Sequence, residues 1–289
     1  MDILLTGATG YVGNAVLKRL LAAGHEVTAV VRNEDKAAEV EAVGVTPVVG
    51  DLFDPAWLAT QLETVQGAIH TAAGSDDQDP ALNDSVIDAV VTAFGGTPKP
   101  FVHTGGVWTY GDNPDIADDD PQQPPAITSW RPAGEERLLA SDVRASVLRP
   151  GIVYGHGQGI PAMLAGGPRD ESGALTLIGT GDQHWATIHV DELADLYLVV
   201  LEKAPGGQAY AGANGTNPTV RELGEAVVGP DGAVVDGSTD EAGERFGPAF
   251  AEALLLDQQS AGTAARALGW EPSAPSLVDL LRAGYPADR

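Results

Sequence analysis

A chain of 289 residues with 43% hydrophobic content has apolar material for one large domain, or for one domain with a smaller appendage, which excludes a disordered or fibrous chain. The formal charge of −25, from 16 basic against 41 acidic residues, repels phosphate backbones and anionic lipid head groups, so neither nucleic acid nor a membrane is an expected partner. The absence of cysteine excludes disulfides, thiolate metal sites and cysteine nucleophiles, and the absence of a signal peptide or a long apolar run makes the cytoplasm the expected compartment.

Short apolar, often β-branched runs alternate with helical patterns through the first half. Strands are expected at Ile3 to Leu5, Val27 to Val31, Val45 to Val49, Ala68 to His70, Pro100 to His103 and Ala145 to Leu148. Strands spaced by helices require crossover connections, so the expected fold is α/β, a Rossmann-type doubly wound parallel sheet covered on both faces. The first helix is the clearest element. After Gly10, Val12, Val16, Leu17, Leu20 and Leu21 recur at helical spacing, and Gly24 supplies a stop. Asp112 to Pro125, with three consecutive aspartates and four prolines, reads as a surface loop or lid. Past Gly151 the rhythm breaks into glycine-rich loops before one strong helix, Val190 to Lys203. The division expected is a dinucleotide-binding Rossmann domain at 1–154 plus about 180–204, with 155–179 and 205–289 forming a smaller interleaved substrate-binding region.

Between the first strand and the first helix runs Thr6-Gly7-Ala8-Thr9-Gly10-Tyr11-Val12-Gly13. Glycines there let backbone N–H groups approach a pyrophosphate, whose charge the helix N-terminus stabilises. The spacing is G-x-x-G-x-x-G, and with strand, turn and helix in place a ligand is a better reading than a plain glycine turn. Nineteen residues beyond Gly13, the second strand ends at Arg32, where an NAD-specific fold places an acid on the ribose 2′-hydroxyl. An arginine there suits a 2′-phosphate and makes NADP(H) the preferred cofactor, with NAD(H) the alternative and a solvated surface arginine the bland reading. Glu34 and Asp35 pull against that preference.

Several separated segments resemble the extended short-chain dehydrogenase/reductase family, also called the NAD-dependent epimerase/dehydratase family. They are the N-terminal glycine turn, Gly50-Asp51-Leu52, His70-Thr71-Ala72-Ala73, Phe101 to Gly111, Leu148 to Gly155, His189 to Ala194 and Ala267 to Pro272. The resemblance implies that Asp51 accepts from the adenine amino group with Leu52 beside the ring. It implies further that Ala72 and Ala73 leave room at the nicotinamide ribose and that Pro150, Gly151 and Val153 flank the carboxamide. It fails at the acid/base residues. Trp130 stands where the family's catalytic Tyr belongs, Gly134 where its Lys belongs and Gly106 where the Ser belongs, and no tyrosine has a lysine four residues later. The chain therefore resembles the atypical members.

Candidates to replace the missing pair are few. Thr104, at the end of the fifth strand, offers a hydroxyl to the nicotinamide ribose or to a substrate carbonyl, or else makes a strand-end hydrogen bond. Tyr110 is a second candidate, better suited to a pocket wall than to proton donation. Arg131 and Glu135 are expected to form a structural i,i+4 ion pair. Trp108, Trp130, Tyr154, His156 and Trp185 are expected around a substrate pocket, with a solvated loop histidine the default for His156. The six histidines lack ligand spacing, so no metal site is expected, and neither a G-x-S-x-G elbow nor a P-loop is present.

From Gly155 onward 7 basic residues face 19 acidic ones, poor provision for a nucleotide-sugar diphosphate. The reading is an NADP(H)-dependent oxidoreductase acting on a small, non-nucleotide carbonyl or alcohol. The alternatives are a non-catalytic NAD(P)-binding redox sensor or partner-binding subunit and, third, a nucleotide-sugar epimerase or dehydratase. Relatives often dimerise through a helix pair, which leaves a homodimer open.

Overall fold

The computed structural model describes residues 1–74 and 77–285. Eleven strands occur in chain order: β1 (Asp2–Thr6), β2 (Glu26–Val31), β3 (Thr46–Val49), β4 (Gly67–His70), β5 (Pro100–Thr104), β6 (Arg144–Pro150), β7 (Ile152–Tyr154), β8 (Leu175–Thr176), β9 (Thr187–His189), β10 (Gln208–Gly212) and β11 (Val234–Val235). The helices are α1 (Tyr11–Ala22), α2 (Glu34–Glu41), α3 (Pro55–Glu63), α4 (Asp79–Phe94), α5 (Arg131–Leu139), α6 (Ile160–Ala165), α7 (Val190–Lys203), α8 (Val220–Val228), α9 (Thr239–Phe246), α10 (Pro248–Leu254), α11 (Thr263–Ala267) and α12 (Leu277–Arg282).

Seven parallel strands form the main sheet in the order β3-β2-β1-β4-β5-β6-β10. The chain leaves β1 toward one edge and returns at β4 toward the other, so strand order reverses between β1 and β4. The crevice at the carboxyl ends of those two strands is where open α/β sheets bind ligands.

Alternation along each strand explains why both faces are covered. Ile3, Leu5, Val27, Ala29 and Val31 bury with Val16, Leu17 and Leu20 of α1 and with the apolar face of α7. Leu4, Val30, Ala68 and Phe101 turn the other way, onto α3, α4 and α5. Each such side chain contributes about 1.5–3 kcal/mol on leaving water. A third cluster, including Ile152, Tyr154, Trp185, Leu223 and Leu254, fills the smaller region.

The six expected strands are present, Val190–Lys203 is a helix, and Gly24 ends the turn after α1 at φ 80°. Gln208–Gly212, which the sequence reading places in the smaller region, is instead the edge strand of the main sheet, paired in parallel with β6. Only one of its two neighbouring positions is filled, and Gln-Ala-Tyr-Ala-Gly lacks the β-branched residues that mark the other strands. The 112–125 segment has no regular secondary structure but is fastened at several points. Asp118 accepts from the Ala264 N–H at 3.3 Å and, through its carbonyl, from the Tyr110 hydroxyl at 2.9 Å, while the Gln123 N–H donates to the Thr109 carbonyl at 2.8 Å. In this conformation it is pinned as a surface loop, and none of its residues lines either cavity described below.

Candidate functional site

The turn after β1 forms one wall of a cavity of about 730 Å³. Gly7 has φ 77°, and a Cβ there would lie 2.6 Å from the Ala72 nitrogen. At Gly13 a Cβ would lie 2.0 Å from the Gly7 carbonyl oxygen, so a side chain would force α1 away from the turn. Gly10 is the N-cap and brings no side-chain acceptor, which leaves the first-turn amides of α1 to a ligand. This positive helix end, approachable through glycine, suits a diphosphate.

Further along the wall stand Arg32, Asp51, Leu52, Ala72 and Ala73, joined by Thr9, Tyr11 and Val12. Arg32 is exposed and makes no ion pair among the described residues. Lys36, which the sequence reading did not single out, lines the same cavity. Its place follows from the Asn33 cap of α2, which accepts from the Lys36 N–H at 3.0 Å. Glu34 and Asp35 open that helix and are not among the residues that line the cavity. Two cations and neither of the two suspect acids therefore flank the end of β2. Asp51 is exposed, with its Oδ1 accepting from the Phe53 N–H at 2.9 Å.

A second cavity of about 390 Å³ adjoins the first through Tyr11 and Val12. Pro150, Gly151 and Val153 form one side of it, and Thr104, Trp108, Trp130 and Arg131 another. The Tyr11 hydroxyl donates to the Gly155 carbonyl at 2.8 Å, and burial raises its pKa above the usual tyrosine value. Thr104 donates to the His70 carbonyl and exchanges a 2.6 Å bond with the hydroxyl of Tyr197, a fully buried residue on α7. Its hydroxyl is thus oriented from behind, with one lone pair left for the chamber. No local pattern in the sequence joins Tyr197 to Thr104, since the pair meets only once α7 docks under β5.

Tyr110, a candidate proton donor, lies away from the chamber. It is 2% exposed, donates to the Asp118 carbonyl and accepts from Arg149 Nη1 at 2.7 Å. Burial pushes its pKa up to about 12, against the opposing pull of Arg149. The expected Arg131–Glu135 ion pair does not form, because Glu135 turns inward and accepts two bonds from Arg149, at 2.9 and 2.6 Å. Arg131 Nη1 instead donates to the Thr104 carbonyl at 3.0 Å, and the guanidinium stacks over Trp130 at 4.4 Å.

Three expected pocket residues also lie elsewhere. Trp185 is buried with its Nε1 on the Leu254 carbonyl at 3.0 Å, and Tyr154 is buried with its hydroxyl on the Pro275 carbonyl at 2.9 Å. Both are aromatic rings with a polar tip that finds a partner in the core of the smaller region. His156, at φ 51°, is exposed and holds Asp191 at 2.9 Å, which is the solvated-loop default. Among the described residues no group of three or more acidic or histidine side chains could hold a metal, and no helix is long and apolar enough to cross a membrane.

The NAD(P)H-binding family matches residues 7–175, more than half of the chain. The chain belongs to this family. An uncharacterized protein of Schizosaccharomyces pombe is 30% identical over 99% of the chain and 100% of its own length. A 2-alkyl-3-oxoalkanoate reductase of Stenotrophomonas maltophilia is 29% identical over 77% of the chain and 73% of its own length. Among solved structures, human epimerase family protein SDR39U1 with NADPH aligns with a TM-score of 0.75 at 21% identity, over 98% of both chains. UDP-glucose 4-epimerase of Thermus thermophilus with NAD aligns at 0.74 and 20% identity, over 98% of this chain and 100% of the other. These structural likenesses establish the Rossmann-type fold. As a member of the NAD(P)H-binding family with short-chain dehydrogenase and epimerase relatives, the chain has a cavity whose glycine turn, helix end and strand-end residues fit a dinucleotide.

Proposed function

We propose that this protein is an NADP(H)-dependent oxidoreductase acting on a small carbonyl or alcohol that is not a nucleotide sugar. The observation that supports it best is the pairing of two joined cavities with different linings. Arg32 and Lys36 stand at the β2 end of the larger one, and the smaller is walled mainly by apolar residues. A bound nicotinamide supplies or accepts the hydride. Gly7, Gly10 and Gly13 admit the diphosphate, and Arg32 and Lys36 offset a 2′-phosphate. Asp51 and Leu52 hold the adenine, while Ala72, Ala73, Pro150, Gly151 and Val153 leave room for the nicotinamide riboside. Trp108 and Trp130 keep water from the substrate, and the free lone pair of Thr104 accepts from a hydroxyl of the cofactor ribose or of an alcohol substrate. At about 390 Å³ the chamber suits a compact substrate.

The similarity to a 2-alkyl-3-oxoalkanoate reductase supports reduction of a carbonyl. Calorimetric titration of cofactor-stripped protein with NADPH and with NADH tests the reading. NADPH is expected to bind more tightly, and Arg32→Ala to cost it about 10- to 100-fold, the range for charge-assisted hydrogen bonds, while leaving NADH nearly unchanged. Equal affinities for both cofactors in the wild type would refute the assignment of Arg32. Binding of NADPH without turnover of any carbonyl compound would favour the redox sensor.

A further inference from the structure

Phe53 is the one phenylalanine that the fold leaves without packing. Of the five in the chain, Phe94 and Phe101 belong to the cluster that covers α3 to α5, and Phe246 and Phe250 pack against that of the smaller region. Phe53 is 44% exposed and, among the described residues, joins no apolar cluster and stacks on no ring. A single exposed apolar side chain is ordinary on a protein surface. Phe53, however, lines the larger cavity, which the other large exposed apolar residues, Met1, Val43, Val49 and Met163, do not.

The place of the ring is set by its turn. The Phe53 N–H donates to Asp51 Oδ1 at 2.9 Å, the Asp54 N–H to the Asp51 carbonyl at 3.2 Å, and the Ser85 hydroxyl on α4 to the Leu52 carbonyl at 2.7 Å. Asp54 then caps α3 by accepting from the Trp57 N–H at 3.0 Å. Trp57 comes so close to Gly50 that a Cβ there would lie 2.0 Å from its ring. Leu52 and Trp57 pack toward the core, and Phe53 is left on the cavity rim. The same turn stands beside the end of β2. The Gly50 N–H donates to the Val31 carbonyl at 3.1 Å, so residues 50–53 adjoin Arg32.

The other aromatic ring on the wall of this cavity, among the described residues, is Tyr11, on the side shared with the chamber. The β2 end thus offers one flat apolar ring together with two cations, Arg32 and Lys36. That combination fits a base attached to a phosphorylated ribose. We propose that Phe53 stacks on the adenine of the bound dinucleotide, and that with Arg32 and Lys36 it makes the adenosine half a ligand in its own right. Covering the ring with a base also removes its apolar surface from water, which the fold alone does not do. This inference rests on the dinucleotide reading of the larger cavity but not on hydride transfer.

Adenosine 2′,5′-bisphosphate, which carries no nicotinamide, is the probe. It is titrated by calorimetry into wild-type protein, Phe53→Ala, Phe53→Leu and Phe53→Trp, with NADPH in parallel. Phe53→Ala is expected to weaken both ligands by the same factor, about 5- to 100-fold, the range for loss of one base–aromatic stack. Phe53→Leu, apolar but without a flat face, is expected to recover only part of the loss. Phe53→Trp is expected to keep the wild-type affinity, and its added indole to be quenched by the bisphosphate beyond any quench seen in wild type. Melting temperatures within about 2 °C of wild type, as expected for substitutions at an exposed position, show that the variants are folded. Unchanged bisphosphate affinity in Phe53→Ala, a Phe53→Leu variant as tight as Phe53→Trp, or no binding of the bisphosphate to wild type overturns the stack. Bisphosphate binding that depends on Phe53, in a protein that oxidises NADPH with no carbonyl compound, leaves the stack standing and removes the oxidoreductase reading alone.

Discussion

Replacing Glu135 by alanine removes the only carboxylate paired with Arg149 among the described residues, in a pair whose side chains are 4% exposed for Arg149 and 1% for Glu135. The guanidinium is then left with the Tyr110 hydroxyl and no counter-charge. Breaking a buried pair from one side costs about 3–5 kcal/mol, most of it the penalty of an uncompensated charge. At about 2 °C per kcal/mol in a chain of this size, the melting temperature is expected to fall by roughly 6–10 °C. The matched control is Glu135→Leu with Arg149→Met, which removes both charges while keeping volume. Because desolvation offsets most of the attraction in such a pair, the double variant is expected to recover all but about 1–2 kcal/mol. Thermal and urea melts monitored by circular dichroism read both numbers. A loss below about 1 kcal/mol in Glu135→Ala, or a double variant no more stable than the single, would refute the argument that charge burial governs this site.

Acid should destabilise the fold through its buried histidines. Burial, and then the charge of Arg131, lower the His70 pKa to about 4, and His103, stacked on it at 5.4 Å, is lowered in the same direction. Both rings stay neutral in the folded state but protonate in the unfolded chain below about pH 6.5. Stability is therefore complete above that pH and falls as pH drops toward 4, by about 3 kcal/mol from His70 alone. Urea melts across this window should show His70→Gln with a shallower pH slope than wild type, and an identical slope would reject the assignment. Tyr110→Phe should leave turnover within about twofold while costing about 1–3 kcal/mol of stability, because the hydroxyl serves Arg149 and not the chamber. A hundredfold loss of kcat with unchanged stability would return Tyr110 to the active site.

The sheet was legible because its strands are buried on both faces and so read as unbroken apolar runs, each followed by a helix with a clear stripe. The edge strand β10 escaped because it has a neighbour on one side only and carries small residues. The dinucleotide cavity was legible for a related reason: the glycine turn, Arg32, Asp51, Leu52, Ala72 and Ala73 all sit at strand ends, where sequence position fixes place. The reaction chamber was harder to read. Trp108 and Trp130 reach it, but Tyr154 and Trp185 turn into the core of the smaller region, and the sequence holds no signal for which side of a loop an aromatic ring will face. The family motifs mixed both kinds of residue. In His189 to Ala194, His189 caps α7 by accepting from the Asp191 N–H at 3.2 Å, and the Glu192 carbonyl receives the Trp270 Nε1 at 3.0 Å. That motif therefore holds the fold together.

The exchange of partners around α5 connects the stability of the fold to its chemistry. An Arg131–Glu135 pair along one helix would neutralise both groups and leave the chamber apolar. Glu135 is drawn instead to Arg149 on β6, across the helix–sheet interface, where it also crowds Gly105, whose Cβ would stand 2.6 Å from Glu135 Oε1. That commitment leaves Arg131, on the chamber wall beside Trp130, where the resembled family places its tyrosine, with no direct ion pair among the described residues, although Glu135 and Asp79 still act on its charge from further off. A guanidinium does not release its proton in the physiological range, so it can hold an anion but cannot replace a tyrosine as the acid. On the proposed function, the proton that accompanies hydride transfer must then come from water or from the substrate. On that reading the contribution of the protein is to hold the substrate in one orientation against the dinucleotide, and effective molarities of oriented reactants show that positioning alone can lower a barrier by about 7–11 kcal/mol.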